Sequence, residues 1–236
     1  MTPDVTALIV AAGSGLRLGS DGPKALVDLA GRPLFEWSLD ACRRAARIGP
    51  IVIAVPPGRE HDFEGDGRIL TAGGATRALS VSAGLEAVET GIVLIHDAAR
   101  PLVTSALIDA SIAALEDSPE LDAVIAAAPV TDTVKRVGRC GRIEETLDRS
   151  ELRAAQTPQV CRTAALRRAI RSGSHEGATD DASLIESDGG SVGVVDGPPE
   201  NIKVTVPSDL ALAGFLLGRA VESATAAEPR AVEIDH

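Results

Sequence analysis

Two cations on one glycine-rich loop are the first residues whose types and spacing point to chemistry. In "LIVAAGSGLRLGSDGPKAL", Leu8 to Leu26, an apolar run opens into Ala11, Ala12, Gly13 and Gly15, followed by Arg17 and Lys24. Small residues let backbone N–H groups approach an anion closely, as in the concave amide nests that bind phosphate. Arg17 offers phosphate oxygens a planar fork and Lys24 a compact point charge, with Pro23 stiffening the approach. Taken alone, such a loop is equally compatible with a surface turn carrying two solvated cations. Two familiar phosphate loops do not fit. Gly13, Gly15 and Gly19 are spaced G-x-G-x-x-x-G, one residue off the dinucleotide fingerprint. The second predicted strand ends in Val55-Pro56-Pro57, where that fingerprint wants an acidic residue for a ribose. A P-loop needs Gly-Lys-Ser/Thr, but Lys24 lies between Pro23 and Ala25.

Two further stretches favour the anion cradle over the turn. "AGGATRALSV", Ala72 to Val81, places Gly73 and Gly74 before Arg77 and Ser80 in the first turn of a predicted helix. The glycines admit a close backbone approach, and Arg77 could reach a phosphate or a base edge. "IHDAARP", Ile95 to Pro101, brings Asp97 and Arg100 to another predicted strand end. A carboxylate among cations suits a sugar hydroxyl or a Mg²⁺ ion. His96 has no second histidine at metal spacing and is expected to pack at the strand end.

These loops need elements to hold them. Thr6–Ala11, Ile51–Val55, Arg68–Ala72, Ile92–His96 and Ala123–Ala128 are short apolar runs bounded by turn residues, which predicts buried strands. Leu34–Arg47, Thr76–Thr90 and Thr104–Asp117 carry helical spacing between them. The alternation predicts an α/β fold: a Rossmann-like, mostly parallel sheet with helices on both faces. Ligands in such sheets sit beyond the carboxyl ends of the strands, so the loops after Ala11, Ala72 and His96 are the expected site. Thr133–Val137 and Arg142–Thr146, charged and alternating around "GRCG", predict a β-hairpin with little apolar area. It is expected to project as an arm at about 130–150 and to pack against a second copy, giving a homodimer. Helices near Thr163–Arg171 and Asp181–Asp188, a strand at Val192–Val195 and a helix from Pro207 to about Val221 complete one domain, 1–223. The Ala- and Glu-rich remainder to His236 is expected to fray.

The bulk numbers bound the function. A net charge of −11 and an aromatic content of 2% argue against a nucleic-acid partner, which wants a basic face and stacking platforms. A small anion responds to the local field instead and is still admitted. Cys42, Cys140 and Cys161, widely spaced, suit neither a disulfide framework nor a zinc site. No apolar run approaches the roughly 18 residues of a membrane span, and the first residues lack a signal-peptide layout. A cytoplasmic protein without a membrane partner is the expectation.

The ordered set "AAGSGLRLGSDGPKALVDLAGRPL", "GGATRALSV", "HDAARP", "APVTDTVKR", "LDRSELRAAQTPQV", "TDDAS" and "ENIKVTVPSDLALA" resembles the 2-C-methyl-D-erythritol 4-phosphate cytidylyltransferase family of nucleotidylyltransferases, from about Ala7 to Leu217. The resemblance implies that Ala11, Ala12, Gly13, Gly15, Gly74, Arg77 and Ser80 bind CTP. It implies that Arg17, Lys24 and Lys203 are catalytic, with Mg²⁺ held largely by the CTP phosphates and Asp97 as its protein ligand. Asp97, Arg100, Thr133, Arg149 and Lys203 would surround the polyol phosphate, Thr133 being lent by a neighbouring subunit's arm. Leu26, Arg153, Val160 and Cys161 stand near positions where relatives often carry aromatics, which implies altered local packing. The sequence shows no Ser-His-Asp, Cys-His or paired-carboxylate arrangement. Attack by a phosphate monoester, whose second pKa is about 6, needs no general base. Two rivals stay open on sequence: a cytidylyltransferase for another polyol phosphate such as ribitol 5-phosphate, and a nucleotide-binding regulator without catalysis.

Overall fold

The computed structural model describes residues 4–19, 22–173 and 179–226. β1 (Val5–Val10) leads through the glycine-rich loop to a small ribbon, β2 (Asp28–Leu29) and β3 (Arg32–Pro33). Then follow α1 (Leu34–Arg44), β4 (Ile48–Val55), β5 (Ile69–Ala72), α2 (Arg77–Leu85), β6 (Ile92–Asp97), α3 (Ser105–Glu116) and β7 (Ala123–Pro129). The arm is β8 (Lys135–Val137) and β9 (Ile143–Thr146). β10 (Arg153–Arg162), α4 (Thr163–Arg171), α5 (Asp181–Ser187), β11 (Val192–Asp196) and α6 (Pro207–Ala226) complete the chain.

Seven strands form one sheet in the order β11-β7-β10-β6-β1-β4-β5, parallel except for β10, which runs antiparallel to β6 and β7. The apolar strand runs are two-sided. Ala7 and Ile9 of β1, Ile53 of β4 and Leu94 of β6 pack into one layer with Phe35 and Leu39 of α1 and Ile108 and Ile112 of α3. Leu8, Val52, Ala54, Val93 and Ile95 point the other way, against Val81 and Leu85 of α2 and Leu166 of α4. Period-2 alternation between two apolar layers is why these runs read as continuously hydrophobic. A third, smaller cluster seats α6 through Ala213 on Leu29 and Leu34. No helix among the described residues is long and apolar enough to cross a membrane.

The departures from expectation have physical causes. β10 is not visible as a strand in "RAAQTPQVCR", because Gln156, Thr157, Pro158 and Gln159 break any apolar run. Pro158 follows a cis peptide bond, and the β10–β7 register shifts between Ala155 and Gln159. α1 stops at Arg44 rather than Arg47, since the Ala46 N–H goes to Asp109 Oδ1 and the chain enters β4 at Ile48, before the expected Ile51. α2 ends at Leu85 rather than Thr90: Arg167 Nη2 donates to the carbonyls of Leu85 and Val88, a cap supplied from far along the chain. α6 continues through 222–226, expected as tail; residues 227–236 lie outside the described residues. Cys42, Cys140 and Cys161 are free thiols, the first and last buried. Val160 and Cys161 are fully buried on opposite faces of β10, and Leu26 packs on the first core layer, so these are packing positions.

Candidate active site

The loops after β1, β5 and β6 rise from one edge of the sheet. Their first residues are tied to neighbouring strand ends: Ala11 N–H to Ala54 O, Gly73 N–H to Val55 O, and Ala98 N–H to Val10 O. Together they line a cavity of about 510 Å³. Ala11, Ala12, Gly13 and Gly15 form one wall with Arg17 and Lys24, while Gly74, Arg77 and Ser80 form another. Asp97 lies on the floor, and Lys203 arrives from the segment before α6. Eleven residues expected at a site from the sequence, Lys203 among them, are therefore brought to one place.

The glycines are needed where the backbone is tightest. Gly15 has φ +75°, and a Cβ there would lie 2.6 Å from the Gly22 carbonyl oxygen. A Cβ on Gly74 would overlap that of Leu79 at the start of α2. Ser80 Oγ accepts the Gly74 N–H at 3.1 Å and donates to Thr76 O at 3.0 Å, so in this chain it braces the loop. Lys24 N–H donates to Gly13 O at 2.9 Å, closing the glycine loop beneath its own ammonium group.

Four alternating charges run from the buried interior out to the pocket floor. Asp181 Oδ2 accepts from Arg77 Nη2 at 2.8 Å, Arg77 Nε donates to Asp97 Oδ1 at 2.9 Å, and Asp97 Oδ2 accepts from Lys203 Nζ at 2.6 Å. Burial opposes ionisation of Asp97, but the charges of Arg77 and Lys203 overcome it and hold the carboxyl well below the usual range. For Arg77 the two carboxylates likewise outweigh burial and hold its charge. By contrast, Arg17 and Lys24 form no ion pair among the described residues. Burial, aided by the nearby charges of Lys203 and Arg17, lowers the Lys24 pKa to about 8. An unpaired, partly desolvated ammonium beside a second cation is a site for an anion.

Not every expected residue faces this cavity. Arg100 does not line it: its guanidinium donates to Asn201 O at 2.7 Å and Ala155 O at 3.3 Å. Asn201 Nδ2 in turn donates to Thr157 O at 2.8 Å and Gln156 Oε1 at 3.0 Å, and the Val204 N–H donates to Ala99 O. Arg100 thus ties the backbone before Lys203 to β10 instead of pointing into the pocket, while the Ala99 carbonyl holds the backbone after Lys203. His96 is a buried packing residue, as expected. Thr157 Oγ1 accepts the Asp97 N–H, so its hydroxyl donates to His96 Nδ1, and the proton on Nε2 goes to Arg100 O. Burial lowers its pKa to about 4, in keeping with that neutral form. Thr133 and Arg149 are exposed on the arm, where Arg149 Nη1 donates to Thr131 O, and neither lines the cavity.

Asp181, Gln159, Thr157 and Asn201 hold this geometry and were not singled out by sequence reasoning. The one usable signal was "TDDAS": Asp180 caps α5 reciprocally with Ser183, which marks a helix start. For a metal, the donor set is thin. Asp97 is the one carboxylate among the described residues that lines the cavity, and those residues contain no group of three or more His, Cys, Asp or Glu able to hold an ion. A divalent cation fits here only if phosphates and water supply most of its ligands, with one Asp97 oxygen.

A mostly parallel sheet with a phosphate cradle at its carboxyl edge, unpaired cations and a buried carboxylate defines an α/β nucleotidyltransferase. The comparisons narrow this. The family model for 2-C-methyl-D-erythritol 4-phosphate cytidylyltransferase matches residues 5–219. A protein of that name from Synechococcus sp. is 46% identical over 220 residues, covering 89% of this chain and 96% of the relative. The crystal structure of that enzyme from Thermus thermophilus superposes with a TM-score of 0.74 at 34% identity, over 92% of this chain and 98% of the other. The 4-diphosphocytidyl-2C-methyl-D-erythritol synthase of Anaerococcus prevotii gives a TM-score of 0.80 at 31% identity, over 91% and 98%. This chain belongs to the 2-C-methyl-D-erythritol 4-phosphate cytidylyltransferase family.

Proposed function

We propose that the chain transfers the cytidylyl group of CTP to 2-C-methyl-D-erythritol 4-phosphate, giving 4-diphosphocytidyl-2-C-methyl-D-erythritol and pyrophosphate in non-mevalonate isoprenoid precursor synthesis. Besides family membership, one observation carries the reading: Arg17 and Lys24, in no ion pair among the described residues, line the glycine cradle with an Asp97–Lys203 pair in the same cavity. The acceptor's phosphate oxygen attacks the α-phosphorus of CTP, and the bond to the β-phosphate oxygen breaks. No base is required, because the monoester is already ionised near neutral pH. The obstacle is an anion approaching an anion, so catalysis rests on positioning and on charge stabilisation.

Ala11, Ala12, Gly13, Gly15 and Gly74 admit the nucleotide, with Arg77 and Ser80 holding the second wall. Arg17 and Lys24 neutralise charge on the α-phosphate and the leaving pyrophosphate. Lys203, held by Asp97, meets the acceptor phosphate. Mg²⁺, drawn mainly by the triphosphate with Asp97 as protein ligand, supplies further neutralisation of the phosphate oxygens when bound. Arg100 acts here as a clamp, through Asn201 and Ala155.

Acceptor recognition is assigned to the arm of a second copy in a cytoplasmic homodimer. β7 and β6 run the same way, so the arm springs from the sheet edge at which the cavity opens. Its Val137 and Ile143 are 56% and 63% exposed, an apolar pair that a neighbour would cover. Pyrophosphate release from CTP and Mg²⁺ is the test, with each candidate polyol phosphate as acceptor. Release is expected with 2-C-methyl-D-erythritol 4-phosphate and not with ribitol 5-phosphate. Equal rates with both would remove the acceptor assignment, and CTP binding without release on either would favour a regulator.

A further inference from the structure

Asp181 is a fully buried carboxylate that the transfer chemistry leaves without a task. Its Oδ2 meets Arg77, while Oδ1 has no hydrogen-bond partner among the described residues. Burial pushes its pKa up against the pull of Arg77. A buried ion pair with an unsatisfied oxygen adds little to stability, and apolar replacements of such pairs are often neutral or stabilising. Its placement is nonetheless over-determined. Gln159 Oε1 accepts the N–H groups of Asp181 and Ala182 at 3.0 and 3.2 Å, and Gln159 lies on β10 opposite Ile95 of β6. The strand that carries Asp97 and the helix that carries Asp181 are therefore registered to one another through a single glutamine.

We propose that Asp181 is a positioning residue for cytidylyl transfer. It shares the charge of Arg77 and fixes that guanidinium, so that Asp97 keeps enough negative charge to hold Lys203 at the acceptor side. Without Asp181, Arg77 turns its whole charge on Asp97, the grip on Lys203 weakens, and the floor gains one positive charge. A more positive floor attracts the triphosphate at least as well, while Lys203 is no longer fixed for the transfer. The signature is a split: turnover falls and KM for CTP does not rise.

This rests on the reading of the pocket as a cytidylyl-transfer site, and turnover of the unmodified protein with CTP and acceptor tests that reading separately. Steady-state pyrophosphate release is measured for Asp181→Asn, Arg77→Met and the double variant, with folding followed by circular dichroism. Asp181→Asn is expected to fold, to lose about tenfold or more in kcat and to keep KM for CTP at or below its original value. Because Asp181 acts through Arg77, the double variant should turn over within about twofold of Arg77→Met alone. A kcat for Asp181→Asn within about twofold of the original, or a KM for CTP that climbs as kcat falls, overturns the proposal. So does a double variant whose loss is the product of the two single losses. Should Asp181→Asn fail to fold, the double variant against Arg77→Met decides alone, and turnover more than about twofold below Arg77→Met overturns the proposal.

Discussion

On the pocket floor, the Asp97 side chain is 9% exposed and each of its oxygens meets a cation; on the arm, Arg136 and Glu145 form a similar pair at 59% and 54% exposure. The floor's charges come from β6, α2, α5 and the segment before α6, and backbone clamps from Arg100 and Asn201 fix them. Among the described residues the arm is held mainly by its own ladder, with Lys135 Nζ on Thr146 Oγ1 and an exposed ion pair worth about 0–1 kcal/mol. A two-stranded ribbon of this length is marginal by itself. The difference separates two kinds of region: the floor's charges are fixed from several elements of one chain, whereas the arm, proposed to serve a second copy, is stabilised mainly by its own strand pairing.

If that division holds, damage to the two regions should look different. The largest effect is expected from Lys24→Ala, which removes an unpaired cation from the cradle: kcat should fall by at least about 10²-fold with an unchanged circular dichroism spectrum. Near-normal turnover would break the floor's half of the comparison. Arg149→Ala on the arm should raise KM for the acceptor by about tenfold and leave KM for CTP within about twofold, read from initial rates against each substrate. An effect confined to CTP would place Arg149 with the floor instead.

A gentler probe uses pH. The Lys24 pKa is lowered to about 8, so its ammonium is present below that pH and lost above it. kcat/KM for CTP should therefore fall as pH rises through about 8, approaching tenfold per unit, and Lys24→Arg should move that limb upward. The same shift carries a sign for stability. Lys24 is harder to protonate in the fold than in the unfolded chain, so it costs stability at neutral pH, and the cost fades as pH rises above about 8. Lys24→Met should accordingly raise Tm by a few degrees while it abolishes turnover, a trade expected where function holds a charge in an unfavourable place.

What could be read in the sequence follows the same line. Strand ends bearing Gly13, Gly15, Gly74 and Asp97 carry local signals, since apolar runs and glycines are contiguous along the chain. Their convergence with Lys203 in one cavity confirms that the loops at that edge belong together. The scaffold behind them was not legible. β10 is a strand only because β6 and β7 pair with it on both sides, overriding a polar and proline-bearing sequence. Arg100 looks from sequence like a pocket cation, and only the fold reveals two carbonyls in front of its guanidinium. Asp181 lies 84 residues from Asp97 in sequence and one arginine away in space. Long-range pairings of this kind leave no periodicity to detect.

The central claim, that one chain's floor works with another chain's arm, is tested most directly by mixing. Lys24→Ala and Arg149→Ala chains, each poorly active alone when the acceptor is well below its original KM, are unfolded together and refolded at equal concentration, and pyrophosphate release is measured at that acceptor concentration. A mixed dimer then holds one site with an intact floor and an intact partner arm. Activity should return to about a quarter of the unmodified level, since half of the dimers are mixed and half of their sites are whole. Activity equal to the mean of the two separately refolded variants would contradict the account.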